Sequence, residues 1–197
     1  VTHGFSRHRR TRTSVAVFSA FEADLIRSLA GQLVELLRNE NAAPQAEDEL
    51  ERMLDFSGPT AEPEDPVLAR LFPTAYPEDE EAAGEFRRFT EGTLRDGKAA
   101  AAAAVIDSLE AAGLRDVDPD DDTQPTEVEV ELDTAAARTW LRSLTDMRLA
   151  IGTRLEIRDG DEGDWEDLPD DDPRRPVHDI YSWLGFLQET LVDSISR

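Results

Sequence analysis

Two apolar stripes near the C-terminus constrain this chain more than any other feature. Leu141, Leu144, Arg148, Ile151 and Leu155 recur every three or four residues, as do Ile180, Leu184, Leu187, Leu191 and Ile195. That spacing places each set on one face of a helix. Each face needs a cover, and the two are expected to cover each other. Gly152 and Gly185 interrupt the helices, and we expect them at the crossing, where another backbone comes close. Arg148 interrupts the apolar stripe. An unpaired buried charge costs several kcal/mol, so Arg148 is expected to fork onto a carboxylate or carbonyls. Gln188 and Glu189 are the nearest candidates. The simpler role for Arg148 is an internal contact that fixes packing; the functional one is a polar element of a partner-binding groove. Trp140 and Trp183 are expected in the core.

The rest of the pattern is also mainly helical. Phe5–Arg9 and Ser14–Phe18 read as strands of a hairpin around Arg10, Thr11 and Arg12. Ser19 and Glu22 have the capping-box spacing, and open a helix that runs to about Asn39. Glu49 to Phe56 reads as two helical turns, and Pro66 to Phe72 as a short helix with Pro at its first position. Asp79 to Ala112 is predicted helical, with Phe86, Phe89, Leu94, Val105, Ile106 and Leu109 as its apolar contacts. Gly92 and Gly97 predict a kink or break near 90–97, because each Gly costs a helix about 1 kcal/mol against Ala. Gly113 suits the C-terminal cap. Glu127 to Leu132 alternates strictly and reads as a half-buried strand. Asp133 caps a helix over 134–157, and the last helix spans about Pro176 to Ile195. The fold class is therefore mainly α: a helical bundle with a small N-terminal β-hairpin and one further short strand. We expect a single domain over 1–197, with a basic hairpin arm at 1–18 and acidic loops at 115–126 and 159–176.

Charge separates the possible functions. The 197 residues carry 44 acidic and 21 basic side chains, a formal net charge of −23. Residues 1–21 contain Arg7, Arg9, Arg10 and Arg12 and no acid, so the remainder is more negative still. Such a body repels nucleic-acid phosphates within a Debye length of roughly 8–10 Å and suits basic partners. Arg7, Arg9, Arg10 and Arg12 are the candidates for nucleic-acid contact. The simpler reading makes them the solvated face of the hairpin, since polybasic footprints usually use more charges. No 18-residue apolar run and no signal-peptide pattern is evident, so a cytoplasmic protein is expected.

The spacing of the polar residues matches no established catalytic or metal signature. No phosphate-binding Gly-rich loop, dinucleotide fingerprint or His-Glu-x-x-His occurs, and Cys is absent. His178 and Asp179 are adjacent without a nucleophile elbow, and His178 is expected to be solvated or capping. Asp116, Asp118, Asp120 and Glu127 match positions 1, 3, 5 and 12 of a calcium loop, but Asp121 stands where the turn needs Gly. No cofactor or metal is expected and an enzyme is not the favoured class, although calcium, magnesium or manganese in the acidic loops is the alternative to test. Trp165, within the second acidic loop, is a candidate partner anchor; its simpler reading is an aromatic folded over the last helix.

Four blocks resemble one family. They are Trp140 to Leu155, Tyr181 to Leu191, Phe18-x-x-Phe-Glu-x-x-Leu-Ile-Arg-Ser-Leu ending at Leu29, and Glu85-Phe-Arg-Arg-Phe-Thr90. Together they look like the AosR-like actinobacterial oxidative-stress regulators, first catalogued as a domain of unknown function. The resemblance covers nearly the whole chain. It implies a non-enzymatic regulator of transcription under oxidative stress that contacts an RNA polymerase sigma factor. Trp165, Arg148, Arg154 and Glu189 are then the partner-binding candidates. The alternatives are a DNA-binding regulator using the basic arm, or an acidic adaptor with another protein partner. Redox sensing in the characterised branch is attributed to cysteines. These 197 residues hold none, so a thiol switch cannot operate within them, and Met53 and Met147 are the only sulfurs left.

Overall fold

The computed structural model describes residues 3–39, 59–115, 127–157, 169 and 171–196. In chain order the elements are β1 (His3–Arg7), β2 (Ser14–Ser19), α1 (Ala20–Asn39), α2 (Pro66–Leu71), α3 (Glu80–Ala111), β3 (Glu127–Leu132), α4 (Thr134–Arg154) and α5 (Arg175–Ser196). The architecture is mainly α, with one three-stranded antiparallel sheet in the order β1-β2-β3. The expected helix over Glu49 to Phe56 lies outside the described residues.

Local chemistry sets most helix starts. Ser19 and Glu22 form the reciprocal capping box: the Glu22 carboxylate accepts from the Ser19 backbone N–H at 2.8 Å, and the Glu22 N–H donates to the Ser19 hydroxyl at 3.3 Å. Asp65, Asp79 and Asp133 cap α2, α3 and α4 by accepting from backbone N–H groups two or three residues on. Gly113 follows α3 in the left-handed region, at φ 101°, which lets Leu114 donate back to Leu109.

The sheet presents Phe5, Ala16, Phe18, Val128, Val130 and Leu132 inward. Strand β2 is central and pairs with β3 from Ser14 opposite Leu132 to Ser19 opposite Glu127. Trp140 of α4 meets this face. Its ring stacks on Phe18 at 6.3 Å and meets the edge of Phe5 at 5.7 Å, while its indole N–H donates to Ser108. Trp140 is thus buried as expected, and Trp183 is half-buried against the same core. The hairpin differs from the sequence expectation at its tip. Strand β1 ends at Arg7, not Arg9, and the turn closes through His8 N–H to the Thr13 carbonyl at 2.8 Å.

Helix α3 departs furthest from expectation. It runs unbroken through Gly92 and Gly97, where no break occurs. Both glycines face open space, so nothing forces the helix to bend there. Its first half is polar on the inside. Phe86, Phe89 and Leu94, expected as core contacts, are 44%, 68% and 51% exposed. The buried residues are Gly84, Arg87, Glu91 and Arg95, followed by Ala101, Ala102, Val105 and Leu109.

Those buried charges form a ladder at spacing four. Glu91 accepts from Arg87 at 2.7 Å and from Arg95 at 2.6 Å. Arg87 also donates to the Phe72 carbonyl just past α2, and Arg95 to the Leu37 carbonyl in the last turn of α1. Helix C-termini leave backbone carbonyls without intrahelical partners. One strand of charge on α3 therefore closes the ends of two other helices. Arg95 also lies 4.7 Å from the centroid of the Phe72 ring. Beyond the ladder, Lys98 bonds Asp146 at 2.6 Å and ties α3 to α4. Burial holds the Asp146 carboxyl above its ordinary range, and Lys98 pulls in the opposite direction.

Glu91→Ala should leave two buried arginines without this counter-charge and destabilise the fold by about 3–5 kcal/mol, read by denaturant unfolding. Replacing Arg87, Glu91 and Arg95 together by Met, Leu and Met should cost far less. Equal losses in the two variants would show that the ladder's charges do not compensate one another.

Candidate functional site

Helix α4 forms the wall between two clefts. Its residues 145, 149, 152 and 153 face one, with Glu156 just past its end, and 147, 150, 151 and 154 face the other. Of the candidates chosen from sequence, Arg148 belongs to the first and Arg154 to the second.

The first cleft is polar, with a volume of about 740 Å³, and lies between α4, α5 and the end of α2. Arg148 reaches across to α5. Its Nη1 donates to the Gln188 side-chain carbonyl at 2.8 Å, and Gln188 Nε2 donates to the Thr145 hydroxyl at 2.7 Å. The guanidinium carbon lies 4.5 Å from the Tyr181 ring centroid. A Cβ on Gly185 would come within 3.3 Å of that same carbon, and a Cβ on Gly152 within 3.3 Å of the Tyr181 ring. Both glycines do sit at the α4–α5 contact. They make room there for an arginine and a tyrosine side chain, where the sequence suggested an approaching backbone. The expected fork is a single bond to a neutral amide, and Glu189 is exposed on a shallow outer groove with Phe186, Val192 and Asp193.

The second cleft is apolar, about 560 Å³, and lies between α1, α2, α4 and the start of α5. Leu29, Leu36, Ile151 and Ile180 are half-buried along it, Val177 is 37% exposed, and Met147 forms buried floor. Gln32, Glu35 and Arg154 provide its polar lining. Arg154 is exposed and pairs with Asp65 at 3.1 Å.

The basic arm is divided by the fold. Arg9, Arg10 and Arg12 are exposed at the hairpin tip. Arg7 is half-buried, and its Nη1 donates to the Ser194 and Ile195 carbonyls at the C-terminus of α5. It serves as a helix cap there. Trp165 and the calcium-like Asp116, Asp118 and Asp120 lie outside the described residues. Glu127 is exposed on β3, and among the described residues no cluster of His, Asp and Glu could hold a metal ion.

Of the two roles expected for His178, solvated or capping, the solvated one does not hold. His178 is buried in the first turn of α5, with its ring 6.3 Å from Tyr181. Burial lowers its pKa, Arg174 lowers it further and Asp179 raises it. Just before α5, Asp172 pairs with Arg174 at 2.8 Å, which holds the Asp172 carboxyl down at about 2. The Arg87–Glu91–Arg95 ladder was missed from sequence. Its one available signal was the repeat of Arg, Glu and Arg at four-residue spacing, which also suits a solvated helix face.

The family model described as "Domain of unknown function (DUF2017)" matches residues 2–195. The chain is 32% identical to the "Oxidative stress regulator AosR" of Mycobacterium tuberculosis over 197 aligned positions, covering 93% of this chain and 81% of that relative. The protein of the same name from Mycobacterium bovis matches to the same extent. No solved structure matches the chain.

A lowered native pKa means that the unfolded chain binds the His178 proton more tightly. The stabilisation is present above the unfolded value of about 6.5 and is lost as pH falls below it. Melting temperature should therefore drop between pH 7.5 and 5.5 by more in the wild type than in His178→Gln. Parallel curves would remove His178 as the cause.

Proposed function

This chain belongs to the DUF2017 family, and from that premise we propose that it is a non-enzymatic regulator of transcription in the oxidative-stress response, acting in the cytoplasm by contact with an RNA polymerase sigma factor. The observation that carries the reading is the 32% identity to proteins named oxidative stress regulators, sustained over 93% of this chain. The surface supports a protein partner. A net charge of −23 steers basic surfaces inward and phosphates away. The apolar cleft beside Ile151, Val177 and Ile180 supplies area whose burial gives affinity, and Glu35 sets an acidic edge on it.

The basic arm supports DNA binding less well. Arg7 is engaged by the α5 carbonyls, which leaves Arg9, Arg10 and Arg12 for phosphate contacts. Three such contacts give a small electrostatic footprint.

Purification of the tagged chain from its own host, with nuclease present, should recover a sigma factor in stoichiometric amount. Val177→Arg places a cation on an exposed position facing a basic partner, and should reduce that recovery about tenfold while leaving the melting temperature unchanged. Absence of polymerase and sigma components with and without peroxide would overturn the reading.

A further inference from the structure

Buried and half-buried cations elsewhere among the described residues have compensation. Arg87 and Arg95 share Glu91, Lys98 has Asp146, and Arg7 has two helix-terminal carbonyls. Arg148 differs. In a chain with 44 acids and 21 bases, its one hydrogen bond goes to the neutral side chain of Gln188. Its Nε is buried with no hydrogen-bond partner. A half-buried charge with one neutral acceptor and an unmet N–H is under-compensated.

The surroundings hold that charge in place. Tyr181 lies under the guanidinium at 4.5 Å, and the missing side chain of Gly185 leaves a surface against which it lies flat. Gln188 is fixed in turn by Thr145. A planar cation held by stacking and one bond loses little further freedom on binding a ligand. The cleft beside it is about 740 Å³ and carries a second arginine, Arg70, exposed on α2. Glu156 is its one acid, so the lining is net positive in a strongly negative molecule. Both lining arginines are therefore available to an incoming anion.

We propose that the cleft between α4, α5 and the end of α2 is a binding site for a small molecule bearing a carboxylate or phosphate group, with Arg148 as the principal contact and Arg70 as the second. Both groups accept two parallel N–H bonds from a guanidinium, so Arg recognises either. The apolar lining from Leu149 and Ile157 would take the rest of the molecule. The site goes beyond the regulatory reading and stands on geometry whether or not a sigma factor binds.

The test is titration of the purified chain with inorganic phosphate, succinate and benzoate at constant ionic strength, followed by calorimetry and by the NMR shift of the Gln188 side-chain amide. Succinate and benzoate against phosphate separate the two anion chemistries. Saturable binding by at least one probe is expected, with a shift at Gln188. Arg148→Met should weaken it by about tenfold or more, and Arg70→Met by a few-fold. Glu156 follows α4 at φ 57°, a conformation Gly adopts without strain. Glu156→Gly therefore keeps the fold, removes the acid and should tighten binding several-fold. If Arg148→Met does not fold, the opposite changes in Arg70→Met and Glu156→Gly decide. No saturable binding in wild type and Glu156→Gly, or binding indifferent to Arg70 and Glu156, overturns the proposal.

Discussion

The first half of α3 organises the helices around a charge ladder. The last turn of α1 and the C-terminal cap of α2 lie beside it, with the Leu37 and Phe72 carbonyls turned to it. Arg87 and Arg95 donate to one carbonyl each, and Glu91 between them pairs with both, one carboxylate oxygen to each. Such a cluster contributes less net stability than its short distances suggest, because three charges lose their water. Its effect is on geometry. An apolar replacement could fill the space but would not tell α1 and α2 where to stop. The ladder also accounts for the uninterrupted course of α3: bonds spaced every four residues brace the helix through Gly92 and near Gly97.

A second set of polar contacts joins the chain's two ends. The Phe5 N–H donates to the Thr190 hydroxyl, Ser14 and Ser194 share a hydrogen bond of 2.6 Å, and Arg7 caps the last turn of α5. Gly4 has no alternative here, since a Cβ would fall 2.5 Å from the Thr190 hydroxyl oxygen. The arm that looks like a basic appendage in the sequence is in part a clasp on α5. On the other side of the sheet, Thr13 donates to Glu131 at 2.6 Å and holds that carboxyl below its ordinary range. The hairpin is thereby anchored to β3 as well.

Elements set by local rules were legible in the sequence. The caps Ser19 and Asp133, the alternation of Glu127 to Leu132 and the two C-terminal stripes depend on neighbours a few residues away. Arg148 was legible because it interrupts an otherwise apolar stripe. The ladder was not, for the converse reason. A helix with Phe86, Phe89 and Leu94 on one side and Arg87, Glu91 and Arg95 on another is normally read with the aromatics inside, and only the converging ends of α1 and α2 reverse that preference. Those ends are separated from α3 along the chain, so no local window contains the cause. The solvated alternative for His178 failed similarly, since its burial comes from the way the start of α5 packs. The two clefts were hidden too, because a cleft is made of surfaces from several elements.

The position of α4 gives the two clefts a physical relation. One helix supplies both walls: Thr145, Arg148 and Gly152 on the polar side, Met147, Ile151 and Arg154 on the apolar side. Arg154 pairs with Asp65, the residue that also caps α2, and Arg70 at the far end of α2 lines the polar cleft. A displacement of α2 or α4 that opens one cleft therefore alters the other. Close packing makes such elements shift as units, because side chains in a dense core have little space to absorb movement one at a time.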